Sequence, residues 1–431
     1  MSRGTKEATG LLLILPFVVL CARAEASGPK DANDSSWLKL PPIETHGFYE
    51  MRAGYRLRKD KYAKDMSIME NRLQLDLYSY LDWGDMQVKA DVFGDLVEEQ
   101  ADFDLREANI FTRPFDFIDM KIGRQILTWG TGDLIFINDL FPKDWQSFFI
   151  GRDNEYLKAP SDAVKVSLFG DWANLDIVYT PRFDPDRFID GTRLSYWSSG
   201  AGSLAGDNAI VHTNRPDRWF RDDEIAARLY KNIKNYEFAI YGYRGYWKSP
   251  GGRNPAMNQA IFPDLNVYGA SVRGAVGKGI GNIEVGYYES ADDASGKNAL
   301  INNSEMRYLL GYTQEIGRDL TMGLQYYVEQ MLDFDAYKRS LTSGAARDRH
   351  RHLTTVRLTK LLMNQNLRLS LFTYYSPSDK DAHLRPNLNY KINDNLAWEL
   401  GANIFFGDYP STFFGQFQNN TNIYTSLRYS F

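Results

Sequence analysis

The chain has 431 residues, of which 24% are charged, and its formal net charge of −5 at neutral pH gives no basic block that would predict a nucleic-acid partner. Aromatic residues are frequent, at 14%, and the mean hydropathy is −0.44. After the first 26 residues no stretch is long and apolar enough for a transmembrane helix, which leaves open a protein that crosses a membrane with strands.

The first 26 residues have the pattern of a secretory signal peptide. A basic start with Arg3 and Lys6 precedes an apolar run at 11–20, and small residues follow at the spacing that a signal peptidase reads. We therefore expect a signal peptide over 1–26 and a short periplasmic segment over 27–45. The single cysteine, Cys21, falls inside the signal, so the mature chain is expected to form no disulfide and to have no thiol site.

From Gly47 onward, apolar and polar residues alternate with a period of two, as in the stretch LTMGLQYYVEQM at 320–331. This alternation predicts an all-β chain in which 46–431 forms a transmembrane antiparallel β-barrel of about 18 strands, with 16 possible. The predicted strands are 46–57, 69–82, 86–96, 104–113, 118–128, 161–169, 173–181, 223–231, 235–247, 265–276, 281–290, 304–315, 319–331, 350–361, 366–376, 383–391, 395–405 and 421–431.

The connections between these strands alternate between short and long. The short ones, such as WGD, NIKN and NDN, contain the Gly, Asn and Asp that tight hairpins need. Long connections on every second position are typical of a barrel with periplasmic turns and external loops. We therefore predict the outer membrane of a Gram-negative cell, reached through a cleaved signal peptide, with membrane lipid and lipopolysaccharide around the barrel.

The two faces of the predicted strands differ in charge. The apolar face would contact lipid and the charged face would line a water-filled lumen, because about 18 strands enclose more space than side chains fill. The pattern therefore favours a channel for passive diffusion of small polar or anionic solutes, with inner arginines as weak sites and acidic neighbours permitting release. The predicted pore-lining residues are Arg52, Arg56, Arg72, Asp76, Lys89, Asp91, Arg124, Gln125, Arg228, Glu329, Arg368, Arg385, Glu399 and Arg428.

The third long connection, 129–160, is too rich in aromatic residues to sit freely in water. We expect it to fold into the lumen, with a short helix around 143–150, and to constrict the pore. A packing plug without a solute role is the alternative interpretation. The predicted constriction residues are Trp129, Phe141, Trp145, Phe148 and Phe149.

Other clusters give weaker patterns. Asp184, Asp186 and Asp190 offer oxygen ligands, but their spacing does not complete a calcium loop, and a solvated acidic loop is the default. His350 and His352 lie two residues apart without a third ligand, so a solvated basic cluster is preferred to a metal site. Since no nucleophile motif accompanies the five histidines, we predict no enzyme, no cofactor and no metal. The alternative to a channel is a plugged or scaffold barrel that docks an envelope partner or serves polysaccharide export.

The element formed by Gly123, Arg124 and Gln125 with Trp129 and Gly130 resembles a strand that leads into an inward-folded loop in Gram-negative porin-like barrels, in particular the alginate-export family. The resemblance covers about 104–190 and implies passive passage through an 18-stranded barrel. Holding the alternation places Arg124 on the apolar face, so a bulge near Gly123 is expected to turn it inward. The last residues, Tyr429 and Phe431, are similar to the signal that the barrel-assembly machinery reads, and deletion of Phe431 is expected to impair insertion.

Overall fold

Eighteen antiparallel strands form one closed sheet in the computed structural model, which describes residues 42–341 and 346–431. The predicted signal peptide, Cys21 and most of the segment 27–45 lie outside the described residues. The strands are β1 (Ile43–Arg56), β2 (Met66–Leu81), β3 (Gly84–Asp95), β4 (Gln100–Phe115), β5 (Ile118–Gln125), β6 (Ser161–Leu168), β7 (Asn174–Thr180), β8 (Glu224–Ile233), β9 (Tyr236–Tyr246), β10 (Asp264–Val276), β11 (Gly279–Ser290), β12 (Glu305–Gly317), β13 (Leu320–Met331), β14 (His350–Leu362), β15 (Leu367–Ser376), β16 (Asp381–Lys391), β17 (Leu396–Gly407) and β18 (Asn422–Ser430).

The barrel closes between its first and last strands. Phe48 of β1 lies opposite Ser430 of β18, and the register continues without a shift to Arg56 opposite Asn422. Beyond β18, the Phe431 amide donates to Gly47 O at 3.0 Å, and the Gly47 amide donates to Phe431 O at 3.1 Å. The all-β barrel prediction is therefore confirmed, with eighteen strands rather than sixteen.

Side chains alternate between the two surfaces of the sheet. On β1 and β2 the outward Met51 and Leu73 are 47% and 38% exposed, whereas the inward Glu50 and Arg72 are each 3% exposed. The apolar side chains point out because their surroundings are lipid, and each strand pairs with a neighbour on both sides, so the closed sheet has no free edge. The barrel thus has the inverted polarity of an outer-membrane β-barrel.

Short helices and strands are confined to the long connections. Among residues 42–341 and 346–431, the helices are too short or too polar to span a membrane. The helical elements are α1 (Trp145–Ile150), α2 (Phe334–Ser340) and the 3-10 turns Asn154–Leu157, Ala291–Asp293 and Gly415–Asn420, and the loop strands are Tyr196–Ser198, Ser203–Ala205, Thr213–Asn214, Gly252–Asn254 and Gln259–Ile261.

The connection from β5 to β6, residues 126–160, is called L3 below and lies inside the barrel. Its helix α1 falls within the predicted range. The Asp144 carboxylate caps it by accepting from the Ser147 amide at 2.7 Å, and Gly151 ends it with φ of 97°. Phe148, Phe149 and Ile150 are buried against the barrel wall. L3 and the inner wall therefore share one hydrophobic core.

Candidate functional site: the lumen and its third loop

The L3 segment 131–138 is fixed to the wall by a buried carboxylate of β11. Glu284 is 1% exposed. Its Oε2 accepts from the Thr131 amide at 2.9 Å, the Thr131 hydroxyl at 3.0 Å and the Gly132 amide at 3.2 Å. Its Oε1 accepts from the Asn138 amide and side chain, both at 2.9 Å. A buried carboxylate that accepts this many hydrogen bonds anchors the loop firmly.

The tip of L3, Asp133 and Leu134, crosses the lumen next to strands β13 to β15. The Gln325 side chain accepts from the Asp133 amide at 2.7 Å and donates to Asp133 O at 2.8 Å. The Tyr374 hydroxyl donates to Leu134 O at 2.9 Å. The Arg357 guanidinium binds the Asp133 carboxylate through Nη2 at 2.7 Å and through Nε. Both the backbone and the carboxylate of the tip are thus held by the wall.

The five predicted constriction residues form an aromatic cluster within L3. Trp129 meets Phe141 edge-on at 5.0 Å between ring centroids, and Trp145 contacts both Phe148 and Phe149. Phe141, Phe148 and Phe149 are buried, whereas the two tryptophans are partly exposed. The cluster explains why L3 stays inside the barrel, because its aromatic surface is removed from water there. Its role in constriction stays a prediction.

Three side-chain amides hold the end of α1 to the wall. Asn403, Asn420 and Asn422 each donate to Phe149 O, at 3.2, 3.1 and 3.1 Å. The Phe149 ring packs against His383 and Phe405. The last carbonyls of a helix lack partners within it, so this amide cluster satisfies a group that would otherwise be buried unpaired.

Several predicted pore-lining residues lie on the inner face but are covered by L3. Arg72 bridges Asp91 at 2.7 Å and Glu70 at 3.0 Å, and these three side chains are at most 3% exposed. Arg52 donates to Glu399 at 2.6 Å and to Gly151 O at 2.7 Å. We expected so many charges to require water. The structure buries them instead, because each has an opposite charge or a carbonyl as its partner.

L3 contributes two charges of opposite sign to this network. Arg152 donates through Nε to both carboxylate oxygens of Glu70, at 3.0 and 3.1 Å. The Arg428 guanidinium pairs with Glu50 at 2.9 Å and with the L3 residue Glu155 at 3.1 Å. Strands β2 and β18 are therefore joined to L3 by ion pairs, and the open space lies on the other side of the loop.

The connection from β7 to β8, residues 181–223, also folds over L3. The Asp186 carboxylate accepts from the Lys143 amide at 2.7 Å, Trp145 Nε1 at 3.1 Å and the Ser249 hydroxyl at 2.7 Å. Burial raises the pKa of Asp186 above its usual range, and these hydrogen bonds offset part of that rise. Asp186 thus acts as an anchor between loops, rather than as a residue of a solvated acidic loop.

A cavity of about 1180 Å³ lies toward the long-loop end of the barrel, and we call it the outer cavity. One side is apolar, with Phe136, Trp145 and Phe188, and the facing strands contribute Arg307 and Glu329. Its described lining has five Lys or Arg and six Asp or Glu residues, so its charge is nearly balanced.

A second cavity of about 290 Å³, the inner cavity, lies toward the short-turn end. Its lining has four arginines and two carboxylates; Arg152 and Arg357 pair with Glu70 and Asp133, whereas Arg368 and Arg385 have no ion-pair partner among the described residues and give the cavity its positive excess. Arg368 is exposed, whereas Arg385 is buried and uses neutral partners, stacking 3.9 Å above the Phe148 ring and donating to Asn403 at 3.2 Å. The linings of the two cavities have Leu134 in common. The tip of L3 therefore stands where the cavities meet.

The predicted bulge at Gly123 is wrong. The pairing of β4 with β5 keeps its register from Ala108 opposite Arg124 to Thr112. Gly123 has φ of 119°, and a Cβ there would lie 2.3 Å from Ala108 O, so the glycine permits close strand approach without an extra residue. Arg124 therefore lies on the same outward face of β5 as Ile122, and it donates to Asp162 at 2.8 and 2.9 Å.

The remaining predicted pore-lining residues are distributed around the wall. Gln125 is 1% exposed and donates to Ala163 O at 2.9 Å. Lys89 pairs with Asp76 at 2.8 Å. Two further arginines contact polar groups of neighbouring strands and loops: Arg228 pairs with Glu237 at 2.6 Å, and Arg56 donates to Asn420 at 3.0 Å. Of the predicted set, Glu329 borders the outer cavity, and Arg368, Arg385 and Glu399 border the inner one.

The weaker clusters do not combine into a larger site in the part of the chain that the structure describes. His352 Nδ1 lies 2.7 Å from the Tyr326 hydroxyl, and the ring of His350 is tilted relative to that of His352, with ring centroids 6.4 Å apart. Within 42–341 and 346–431, no group of three His, Cys, Asp or Glu residues is arranged to hold a metal. At the other end of the barrel, Tyr429 and Phe431 are 51% and 47% exposed.

Sequence reasoning did not single out the residues that position the tip of L3. Glu284 and Arg357 are not in the predicted pore-lining set, because alternation gives no reason to prefer them to other charged residues of the inner face. Their partners, Thr131 and Asp133, lie more than 150 positions away in the chain. The stretch TGD at 131–133, directly before the apolar run at 134–137, was the available signal for a fixed turn.

The fold and the lumen define an 18-stranded outer-membrane-type β-barrel whose third loop folds inward. No family model and no curated protein matches the chain. Similar solved structures include Acinetobacter baumannii OccAB4, with 10% identity over 91% of this chain and 99% of that one and a TM-score of 0.57. Two from Pseudomonas aeruginosa are OccK5 (OpdH), with 8% identity over 90% and 97% and a TM-score of 0.54, and OccD3 (OpdP), with 12% identity over 91% and 92% and a TM-score of 0.52. At these identities the likeness shows the fold.

Proposed function

We propose that the protein is an outer-membrane channel through which small polar solutes, anions in preference, diffuse passively. The observation that supports this proposal best is the pair of cavities on either side of the L3 tip, of which the inner one has four arginines and two carboxylates. A positive excess in a narrow lumen concentrates anions. The carboxylates beside the arginines keep binding weak enough for release. Passive passage of this kind needs no catalytic residue.

Three of the four arginines of the inner cavity come from adjacent strands, and the fourth, Arg152, belongs to L3. Arg357 on β14 lies opposite Phe372 on β15, and Phe372 lies opposite Arg385 on β16. Arg368 is further along β15, toward the short turns. An anion that passes the L3 tip would meet these guanidinium groups one after another, on the side of the lumen that the buried ion-pair network leaves open.

The size of the cavities favours small solutes over a polymer. The inner cavity has a volume of about 290 Å³, and Leu134 stands between it and the outer cavity. The resemblance to the alginate-export family, and with it polysaccharide export, stays a prediction. A plugged barrel that docks an envelope partner is the second candidate, and the many contacts between L3 and the wall are the observation that favours it.

Conductance in planar bilayers separates the two candidates. We expect the folded wild-type protein to give steady steps in KCl and a reversal potential that indicates anion preference in a salt gradient. Arg368→Gln removes one exposed charge from the inner cavity. A unit charge about 8 Å from an ion in water contributes roughly 0.5 kcal/mol, which favours an anion and opposes a cation, so the anion-to-cation permeability ratio should fall about fivefold.

Arg318→Gln is the matched control, because Arg318 is 96% exposed in the short turn between β12 and β13 and lies outside the lumen. If folded wild-type protein gives no steady current, the barrel is plugged and the channel proposal is wrong. If Arg368→Gln and Arg318→Gln have the same permeability ratio, the inner cavity does not set the anion preference.

A further inference from the structure

We infer that the Asp133 carboxylate is a tethered competitor for solute anions at Arg357 and thereby limits anion passage between the two cavities. The inference rests on the proposed channel function and adds the residue that regulates its throughput. The residue lies next to Leu134, which lines both cavities, at the entrance to the arginines of the inner cavity.

The contact between Arg357 and Asp133 has the geometry of a bound solute carboxylate. Arg357 Nη2 donates to Asp133 Oδ1 at 2.7 Å while Nε donates to Oδ2. Two parallel hydrogen bonds of this kind are how a guanidinium recognises a free carboxylate. The protein's own side chain therefore occupies the position that an arriving anionic solute would take.

The backbone that bears this carboxylate is fixed, whereas the side chain is not enclosed. Gln325 exchanges two hydrogen bonds with the Asp133 main chain, and Tyr374 holds Leu134 O. Leu134 has φ of 56°, a left-handed conformation that is uncommon for a branched residue and persists where its surroundings hold it. Displacement of the Asp133 carboxylate therefore needs a side-chain rotation, without release of the loop.

Water reaches this ion pair, in contrast to the pairs on the opposite wall. The Asp133 and Arg357 side chains are 44% and 32% exposed, whereas those of Arg72 and Glu70 are 3% and 2% exposed. An exposed pair contributes little net stability, so a solute anion can replace one partner. A dry pair such as Arg72 with Glu70 is expected to stay closed, because breaking it leaves a buried charge uncompensated.

A double-mutant cycle tests the competition, with the acetate-to-potassium permeability ratio measured from reversal potentials in potassium acetate gradients. Asp133→Asn should raise this ratio about two- to fivefold, the range expected when an exposed ion pair no longer competes. In an Arg357→Gln background the same substitution should change the ratio by less than about 1.5-fold, since the site for which Asp133 competes is absent. Leu134→Ala should raise the total conductance and leave the ratio unchanged.

Asp379→Asn is the matched control. Asp379 pairs with Arg351 at 2.6 Å on the outer cavity, so its substitution removes the same charge away from the L3 tip. An equal rise for Asp133→Asn and Asp379→Asn, or an additive cycle, overturns the inference. If the wild type gives a steady current and the cycle is additive, the inference about Asp133 is rejected and the channel proposal stands. Absence of current from every folded variant rejects the channel proposal and the inference with it.

Discussion

The attachment of L3 to the wall through Glu284 leads to the most specific prediction for this fold. Glu284→Gln keeps the shape of the side chain and replaces one acceptor oxygen with a donor. Each carboxylate oxygen accepts from two N–H groups, so the new amide group loses two hydrogen bonds and brings donors against each other whichever way it faces. Hydrogen bonds to a charged group contribute about 1.5–3 kcal/mol each, so undocking of the segment 131–138 should become easier by about 3 kcal/mol.

Hydrogen–deuterium exchange measures this undocking directly. A change of about 3 kcal/mol in the local opening free energy corresponds to roughly 100-fold faster exchange of the amides at 131–138. The barrel strands should exchange as in the wild type, because their ladders are untouched. Single-channel records should show more frequent fluctuations, since the loop that separates the cavities is released.

The control substitution is Glu289→Gln on the same strand. Glu289 accepts from Asn266 at 3.0 Å and has the outward parity of β11. It should leave exchange at 131–138 unchanged. If Glu284→Gln also leaves that exchange unchanged, the carboxylate is not the anchor and the assignment of L3 as a fixed constriction loses its physical basis.

Two further predictions concern the loops. Because burial raises the pKa of Asp186 in the folded protein, its contribution to stability is greatest below the unfolded pKa and is lost as the pH rises through the folded pKa. Thermal unfolding of Asp186→Asn should lack this pH-dependent component above the unfolded pKa, and a pH profile equal to that of the wild type would count against the burial argument. Gly151→Ala should destabilise the protein by about 1–3 kcal/mol, because a left-handed conformation is strained for alanine and the new Cβ would lie 2.4 Å from the Tyr424 ring. Denaturant unfolding measures the change, and the control is Gly170→Ala, where the atom nearest to the new Cβ would be 3.2 Å away. Equal unfolding midpoints for the two variants would contradict the prediction.

The strand pattern could be predicted closely from the sequence. Each strand obeys a local rule, because alternate residues face lipid and must be apolar, as Met51 and Leu73 are. Short turns and long loops are equally local, since glycine and asparagine mark the tight hairpins. The inward position of L3 followed from its aromatic residues, which water would not tolerate, and α1 was expected within the range where it is found.

The arrangement inside the lumen could not be predicted in the same way. Alternation assigns a side chain to the inner face but does not say whether a loop covers it. The same alternation places Arg72 and Arg368 on the inner face, yet Arg72 is 3% exposed under L3 and Arg368 is exposed in the inner cavity. The Gly123 bulge failed for a related reason, because a glycine can relieve strand crowding through its own φ instead of through an extra residue.

The sequence by itself determined a membrane-spanning barrel, its strands, its inner and outer faces and the loop that enters it, because each depends on neighbouring residues and on the contrast between lipid and water. Only the tertiary structure decided which charges are paired and buried, which face the cavities, and that Asp133 meets Arg357 beside Leu134. The partners in these contacts are up to 378 positions apart, as for Glu50 and Arg428, and closure of the barrel alone brings them together.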